Sequence, residues 1–187
     1  MNAFAGDLFG TPVVPGFSGM GDVVSIEEER ELTAHIDACT LEPFRFQGWL
    51  GKRLTASFGM KYDFERERIE RADPIPNWLL PVRARAAAFA GLAPDELVQA
   101  LVLRYDPGAG IGWHRDRPVY GHVVGVSLGE AAALRLRRRR PGGFERTSAP
   151  LEPRSVYHMT GEVRHGWEHS IAPMERTRWS ISFRSLA

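Results

Sequence analysis

Two histidines and one aspartate are spaced so that they could bind a metal ion together. His114 and Asp116 are separated by a single residue, and His169 follows much later in the chain. A lone His-x-Asp pair is weak evidence, so the prediction depends on the third ligand. Two imidazoles and one carboxylate occupy three positions of an octahedral ion and leave three open, which is the ligand set of non-haem Fe(II) oxygenases. The sequence therefore predicts an iron site at these three residues.

Residues 178–184 are predicted to form a β-strand with one cationic face. Side chains alternate along a strand, so Arg178, Ser180, Ser182 and Arg184 share one face, and the apolar side chains between them share the other. Two guanidinium groups separated by small hydroxyl residues suit a ligand that carries two acid groups. A solvated outer face of an edge strand is the alternative, and these residues alone leave it open.

Taken in order, these motifs resemble the AlkB family of Fe(II)/2-oxoglutarate dioxygenases. The resemblance covers roughly residues 97–185, and its ordered combination is specific although each motif alone is not. It rests on LRYDPG at 103–108, HRD at 114–116, VSLG at 126–129, PRS at 153–155, MTGEVR at 159–164, WEHSI at 167–171 and RxSxSxR at 178–184. Residues 159–169 look more similar to the eukaryotic and tRNA-acting branches than to the founding DNA-repair enzyme. A weaker likeness to the family's substrate-side segment lies at residues 53–62.

The resemblance implies a role for each motif. The His-Asp-His triad would bind Fe(II), with 2-oxoglutarate as co-substrate and O₂ as oxidant, and no catalytic residue beyond the metal ligands is expected. Tyr105 would form a hydrogen bond with 2-oxoglutarate, and Arg178 and Arg184 would pair with its charged groups.

The chain departs from the family pattern at three co-substrate positions. The last family motif usually reads Arg-x-Asn-x-Thr-x-Arg, whereas Ser180 and Ser182 stand here in place of Asn and Thr. Serine keeps a hydroxyl but has a shorter reach. Leu103 stands where some members carry an Asn that helps to hold the co-substrate, so the resemblance does not imply that contact here.

Candidates for substrate binding lie before and beside the triad. Arg53, Phe58 and Tyr62 combine positive charge with aromatic faces, which is the chemistry needed to hold a flipped base, and Trp113 flanks His114. Tyr62 is the first choice and Phe58 the second. Aromatic residues more often belong to a hydrophobic core, and that interpretation stays open for all of them.

An arginine-rich run ends at a predicted hairpin turn. Residues 135–140 are almost all arginine and lead into Pro141, Gly142 and Gly143. Such a hairpin tip could contact phosphates electrostatically, although charge runs more often form a solvated face.

Composition limits the class of protein. At 187 residues with 43% hydrophobic residues, the chain can bury one core, and we predict a single domain over residues 1–187. Cys39 is its one cysteine, which excludes a disulfide framework and a Cys-based zinc site and fits a reducing cytoplasm. The sequence shows no secretory leader and no apolar stretch of membrane-spanning length, so we expect a soluble cytoplasmic protein without a membrane partner. No obligate protein partner is evident, and a net charge of +1 does not choose the substrate.

The order of elements predicts the fold class. Residues 1–22 are expected to form an extended arm, and residues 23–96 to contain two helices, at 26–39 and 76–90, and the substrate-side segment. Residues 97–187 alternate short strand patterns with Gly and Pro breaks. The clearest strands are expected at 98–105, 122–127, 133–138, 155–159 and 178–184. We therefore predict an α+β, mainly β, double-stranded β-helix (jelly roll) with the N-terminal helices packed on the larger sheet.

The expected activity follows from the resemblance: oxidative demethylation of alkylated bases in DNA or RNA. Hydroxylation of a modified tRNA base and demethylation of a protein side chain are the enzymatic alternatives. A catalytically inactive metal-binding β-barrel is the non-enzymatic alternative, and the complete set of metal and co-substrate residues argues against it.

Overall fold

Two antiparallel sheets form the frame of the protein. A computed structural model describes residues 13–46, 49–64 and 66–187. Its strands are β1 Phe17–Met20, β2 Glu42–Phe46, β3 Trp49–Asp63, β4 Arg68–Arg71, β5 Gln99–Tyr105, β6 Ile111–His114, β7 Tyr120–Gly129, β8 Ala132–Arg140, β9 Gly143–Leu151, β10 Val156–Met159, β11 Glu168–Ile171 and β12 Arg178–Leu186. Within the described residues, the larger sheet has the order β1-β10-β7-β12-β5-β3-β2 with β4 beside β3, and the smaller has the order β6-β11-β8-β9.

The helices of the described residues are α1 Ile26–Ala38, α2 Leu80–Ala90 and α3 Gly161–Gly166, with short 3-10 helices at Asn77–Leu79 and Pro94–Glu96. Two of these three α-helices agree with the sequence prediction: α1 matches residues 26–39 closely, α2 begins four residues later than predicted, and α3 has no predicted counterpart. At the start of α1, the Glu28 N–H donates to the Ser25 hydroxyl at 3.2 Å, and the Ser25 N–H donates to the Glu28 carboxylate at 2.8 Å. This capping box satisfies backbone donors that a helix end leaves open. None of the helices in the described part of the chain is long and apolar enough to cross a membrane.

The larger sheet separates two hydrophobic clusters. The first lies between this sheet and helices α1 and α2, and it contains Ile36 and Phe183, neither of which has any exposed surface. A phenylalanine buried in this way contributes about 3–5 kcal/mol to stability relative to alanine. The second cluster lies between the two sheets and contains Tyr105 of β5 and Leu136 of β8. The helices therefore cover one face of the sheet, as predicted, and leave the other face for the site.

Strand β12 lies in the middle of the larger sheet, between β7 and β5. Ile181 and Phe183 belong to the cluster on the helix side. Arg178 and Ser180 pair in register with Tyr105 and Leu103, which belong to the cluster between the sheets. The predicted alternation is confirmed, and the alternative of a solvated edge strand is wrong, because neighbours on both sides bury the strand.

The upstream part of the chain contains more strand than predicted. Residues 23–96 include β2, β3 and β4 besides the two helices, and β3 pairs with β5 with Thr55 opposite Leu103. Two glycines, Gly51 and Gly59, and several charged residues hide the strand periodicity of β3 from a sequence pattern. Residues 1–12 of the predicted arm lie outside the described residues, whereas Phe17–Met20 pairs with β10 as β1.

A pair of histidines lies where β7 and β10 run side by side. His122 Nδ1 and His158 Nε2 are 2.8 Å apart, and the two rings are stacked. A hydrogen bond between two imidazole nitrogens requires that the acceptor ring be neutral. Burial, and then the neighbouring His122, lowers the pKa of His158 to about 4.

We predict that His158 makes folding sensitive to acid between about pH 6.5 and 4. In this window His158 is protonated in the unfolded chain but neutral in the folded chain, so the free energy of unfolding falls as the pH falls. In His158→Gln, the loss of unfolding free energy between pH 7.5 and pH 5 should be smaller than in the parent by on the order of 1 kcal/mol. Urea unfolding at the two pH values measures this difference. The same loss in both proteins would contradict the assignment.

Candidate active site

Strands β6 and β11 of the smaller sheet and the segment directly after β6 bring the three predicted metal ligands together. His114 on β6 and His169 on β11 are paired in register, and Asp116 follows β6 by two residues. One ligand atom from each residue lies within 4.8 Å of the others. His169 Nε2 is 3.9 Å from Asp116 Oδ2, and the two imidazole centroids are 4.2 Å apart. This geometry fits one ion bound by two nitrogens and one oxygen.

Both histidines are held in the neutral form that binds metal. His114 Nδ1 donates to the Gly112 carbonyl at 2.9 Å, and this leaves Nε2 with its lone pair. Burial is the main cause that lowers the pKa of His114. Burial, and then His114, lowers the pKa of His169 to about 3. Neither ring therefore needs to lose a proton before it can bind a metal ion near neutral pH.

Arg184 keeps Asp116 ionised and leaves one carboxylate oxygen free. Burial alone would raise the pKa of Asp116, but Arg184, followed by the two imidazoles, holds it well below its usual range. Arg184 Nη2 donates to Asp116 Oδ1 at 2.9 Å. Its Nη1 donates to Gln99 Oε1 at 3.0 Å, which fixes the guanidinium from its other side. The oxygen that faces His169 is Oδ2, and it remains available as a ligand.

Arg164 fixes the segment that carries Asp116. From α3, its Nη1 donates to the Asp116 carbonyl at 3.2 Å, and its Nη2 donates to the carbonyls of Arg117 and Tyr120, both at 2.6 Å. Arg164 belongs to the MTGEVR motif at residues 159–164, but the motif implies no role for it. Its three acceptors are backbone carbonyls, so residue types gave no signal for these contacts.

Arg178 is a buried cation whose partners are neutral. Its side chain is 1% exposed, and Nη1 donates to Ser127 Oγ at 2.7 Å and to the Glu130 carbonyl at 2.9 Å. Its Nε has no hydrogen-bond partner, and no carboxylate of the described residues forms an ion pair with it. A buried guanidinium without a counter-charge is unfavourable, so this position favours an anionic ligand.

Tyr105 completes this end of the site. It lies opposite Arg178 in the sheet and is 3% exposed. Burial raises the pKa of Tyr105, so its hydroxyl stays protonated at neutral pH and can donate a hydrogen bond.

The other predicted co-substrate residues line the same space. Leu103, Ser180 and Ser182 are each 6% or 7% exposed and face the cluster between the sheets. Leu103 offers only methyl groups, so it can shape the wall but cannot replace the amide contact of an Asn.

Tyr157 of β10, which no sequence motif singles out, closes the wall. Its ring lies directly over Gly125, where a Cβ atom would overlap the ring. Burial, and then Tyr105, raises the pKa of Tyr157 to about 12. The predicted strand 155–159 already implies that Tyr157 and His158 point to opposite faces of the sheet. Which of the two points inward is known only from the pairing of β10 with β7.

Two of the four predicted substrate residues lie beside the triad. Arg53 is 7% exposed, its guanidinium lies 4.0 Å from the Phe44 ring centroid, and its Nε is unpaired. After burial, the groups that act most on the pKa of Arg53 are Tyr105, Arg184 and Asp116, which places the guanidinium at the site. Tyr62 contacts Phe64 edge to face, with centroids 5.2 Å apart. Arg117 covers both of these rings at 5.0 and 5.1 Å.

The other two predicted substrate residues point elsewhere. Phe58 packs against the cluster on the helix side of the larger sheet, on the face of β3 opposite to Arg53. The left-handed backbone of Gly59 (φ 77°) then interrupts the alternation, so Tyr62 does not follow Phe58 to that side. Trp113 lies on the outer face of the smaller sheet, where Arg135 and Arg137 cover its ring at 5.3 and 4.5 Å. The structure therefore does not bring Phe58 or Trp113 to the triad. Adjacency in sequence to His114 misled the choice of Trp113, since neighbours along a strand face opposite ways.

Comparisons with known proteins agree with this geometry. A model of the 2OG-Fe(II) oxygenase superfamily matches residues 30–184. The tRNA (carboxymethyluridine(34)-5-O)-methyltransferase ALKBH8 of Mus musculus is 27% identical over 168 residues, which cover 85% of this chain and 24% of that protein. The Alkylated DNA repair protein ALKBH8 homolog of Arabidopsis thaliana is 24% identical over 184 residues, which cover 84% of this chain and 51% of that protein. The chain thus spans about a quarter of one relative and about half of the other.

A solved structure shows the same fold. The structure of OsALKBH1 matches with a TM-score of 0.69 and 14% sequence identity, and the match covers 92% of this chain and 97% of that one. At this identity the match shows the fold alone, and it agrees with the jelly roll predicted from the sequence.

We predict that His114→Ala loses Fe(II) binding without unfolding. Removing one of three ligands should weaken Fe(II) binding at least about 100-fold, because changes outside the ligand set already cost 10–100-fold. Anaerobic calorimetric titration measures the affinity, and the urea midpoint checks folding. His165→Ala is the matched control, because His165 is exposed and lies outside the triad. Equal Fe(II) affinity in His114→Ala and the parent would contradict the assignment.

We predict that Arg178→Met weakens 2-oxoglutarate binding about 10–100-fold while Fe(II) affinity is unchanged. Each charge-assisted hydrogen bond lost contributes about 1.5–3 kcal/mol. Methionine keeps the buried volume without leaving a charge, so folding should be maintained. Arg176→Met is the matched control, since Arg176 is 78% exposed and pairs with Glu130 at the surface. A matching loss in the control, or none in Arg178→Met, would remove Arg178 from the co-substrate site.

Proposed function

Because the chain belongs to the 2OG-Fe(II) oxygenase superfamily, we propose that it oxidises an alkylated base in DNA or RNA. Its cofactors are those of the superfamily: Fe(II), 2-oxoglutarate as co-substrate and O₂. The observation that carries the choice of a nucleobase is a cluster of aromatic and arginine side chains beside the triad. Phe44, Tyr62 and Phe64 contact one another or the guanidinium groups of Arg53 and Arg117.

The residues of the site fit the metal and the co-substrate. We assign His114, Asp116 and His169 as the Fe(II) ligands, since two neutral imidazoles and one ionised carboxylate converge there. Bound Fe(II) with 2-oxoglutarate and O₂ supplies the oxidising power to hydroxylate a C–H bond.

The chain orients the co-substrate and excludes water from it. Arg178 would hold one carboxylate of 2-oxoglutarate, and the Tyr105 hydroxyl would donate a hydrogen bond to it. Leu103 and Tyr157 form an apolar wall that keeps the reaction away from bulk water. Arg184 keeps the proton off Asp116, so the ligand oxygen stays anionic.

The base would lie between aromatic faces next to this centre. Arg117 follows Asp116 directly, and its guanidinium covers Tyr62 and Phe64, so the cluster begins one residue from a metal ligand. These rings are half-buried rather than fully enclosed, which leaves a face for a ligand. Stacking of a base on such a ring contributes about 1–3 kcal/mol.

The relatives support a nucleic-acid substrate and leave two reactions to separate. The name of the mouse relative refers to tRNA, and that of the Arabidopsis relative refers to alkylated DNA repair. If the oxidised carbon is an N-methyl group, its hydroxylation gives a hemiaminal that splits into formaldehyde and the free base. If the carbon is part of a larger tRNA side chain, the hydroxyl group stays. We keep this second reaction as the other candidate, because the name of the mouse relative refers to a modified uridine of tRNA.

Succinate and formaldehyde should be measured together on a panel of methylated oligonucleotides and modified tRNAs. Equal amounts of both products on one oligonucleotide would support demethylation. Succinate with a stable product 16 Da heavier than the substrate, about one oxygen atom, would support tRNA hydroxylation. Substrate-dependent succinate on a methylated peptide alone would contradict the nucleic-acid proposal.

In the same assay, we predict that Tyr62→Leu raises KM for the active oligonucleotide about 10-fold, because a stacking face is lost. Phe58→Leu is the matched control, since Phe58 lies on the same strand but faces the helix side. Both variants should bind 2-oxoglutarate as the parent does. An equal effect of the two variants on KM would contradict the assignment of Tyr62 to the base pocket.

A further inference from the structure

The outer face of the smaller sheet carries an unusual concentration of arginine. Register places Arg137 beside both Arg146 and Glu168, and it places Arg135 beside Ser148 and Ser170. Because Leu134 and Leu136 point between the sheets, the alternate residues of β8 point outward. We call this outer surface the arginine face; its basic side chains are Arg115, Arg135, Arg137, Arg139 and Arg146, and its aromatic side chains are Trp113 and Phe144.

The arginine face has an excess of positive charge. Glu168 is the one carboxylate that these described strands turn outward, and it is already paired with Arg137 at 2.6 Å. Five arginines and one glutamate leave four formal positive charges on one surface. The whole chain has a net charge of only +1, so the remainder is net negative. This asymmetry gives the molecule one side that attracts polyanions.

The arginines are held in fixed positions by aromatic rings. Arg137 lies 4.5 Å from the centroid of Trp113 and 4.5 Å from that of Phe144. Arg139 and Arg146 lie 5.6 and 5.3 Å from Phe144. A guanidinium stacked on a ring exposes N–H groups at its edge. Those groups that Arg137, Arg135 and Arg146 do not use for Glu168, Ser170 and the Phe144 carbonyl can meet phosphate oxygens at little cost in side-chain entropy.

A cavity on the arginine face lies close to the triad. Its volume is about 280 Å³, and it is lined by Arg115, Arg137, Arg139, Phe144, Gly166 and Glu168. Arg115 lies between the ligands His114 and Asp116, and Glu168 precedes the ligand His169. The same two strand ends therefore present metal ligands on the inside and the cavity on the outside.

We propose that the arginine face binds the phosphate backbone of a single-stranded nucleic acid whose adjacent base occupies the site at the triad. This inference rests on the proposed function. Arg135, Arg137 and Arg139 lie on alternate positions of one strand, about 7 Å apart, which gives a row of charges that an extended backbone can follow. Arginine forks match phosphate oxygens two at a time, and exposed ring edges between them suit bases. Binding of an acidic protein would not require arginines at regular intervals along one strand, so the row favours a nucleic-acid backbone as the ligand.

The test compares Arg139→Ala/Arg146→Ala with Arg30→Glu. Both lower the net charge by two, but Arg30 lies on α1, on the helix side of the larger sheet. Neither Arg139 nor Arg146 lies at the triad. The probe is a fluorescent oligothymidine of about 12 nucleotides, within the site size of single-strand binders, and its affinity is measured by anisotropy at several salt concentrations. Turnover is then measured on the active oligonucleotide and on its isolated modified nucleoside.

The double variant should bind the oligonucleotide about 10-fold or more weakly, with a salt slope smaller by about 1.4, because two phosphate contacts are lost. Its KM for the oligonucleotide should rise while turnover of the nucleoside is unchanged, and Arg30→Glu should behave as the parent. Parent-like binding and KM in the double variant, or the same loss in Arg30→Glu, would overturn the docking surface and leave the proposed function intact. A parent enzyme that neither binds nor oxidises any nucleic acid would overturn both.

Discussion

The organisation of the site depends on one ionised carboxylate, Asp116, placed among largely buried arginines. Arg184 donates a hydrogen bond to the Asp116 carboxylate, and Arg164 donates one to the Asp116 backbone carbonyl. Arg53 and Arg178 lie nearby without a carboxylate partner among the described residues. The cations outnumber the anions in a space that excludes most water. A dicarboxylate would therefore be stabilised there, and its two negative charges would offset the two positive charges of a divalent cation bound at Asp116.

The two-sheet frame explains how so many charges can be buried without unfolding the chain. Strand β12 presents Ile181 and Phe183 to the helices and its arginines to the space between the sheets, so each charged position is anchored by apolar neighbours in the same strand. Strands β6 and β11 divide their faces in the same manner. Their inward face carries His114 and His169, and their outward face belongs to the arginine face. One sheet can thus serve the chemistry on one side and a polyanion on the other.

Local patterns in the sequence were enough to predict α1, the alternation of β12 and the three members of the triad. Each depends on a capping motif, a period of two, or residue types with a defined chemistry. The faces chosen for Phe58 and Trp113 could not be predicted, because the pairing of β3 and β6 with distant strands decides which side is inward. The contacts of Arg164 with carbonyls and the fit of Tyr157 over Gly125 are likewise tertiary, and no local pattern encodes them. The sequence predicts one charged tip at residues 135–140, whereas alternation directs Arg138 to Glu145 and Glu162 and leaves its neighbours on the outer face.

The most direct test of the account is an anaerobic titration of the Fe(II)-loaded protein with 2-oxoglutarate, followed by visible absorption. A charge-transfer band between Fe(II) and a 2-oxo acid arises only when the acid chelates the metal. We expect a band that needs both Fe(II) and 2-oxoglutarate and saturates at one equivalent of 2-oxoglutarate per chain. Protein that is verified to hold iron but develops no band would contradict the claim that the triad and the buried arginines form one site for the metal and the dicarboxylate.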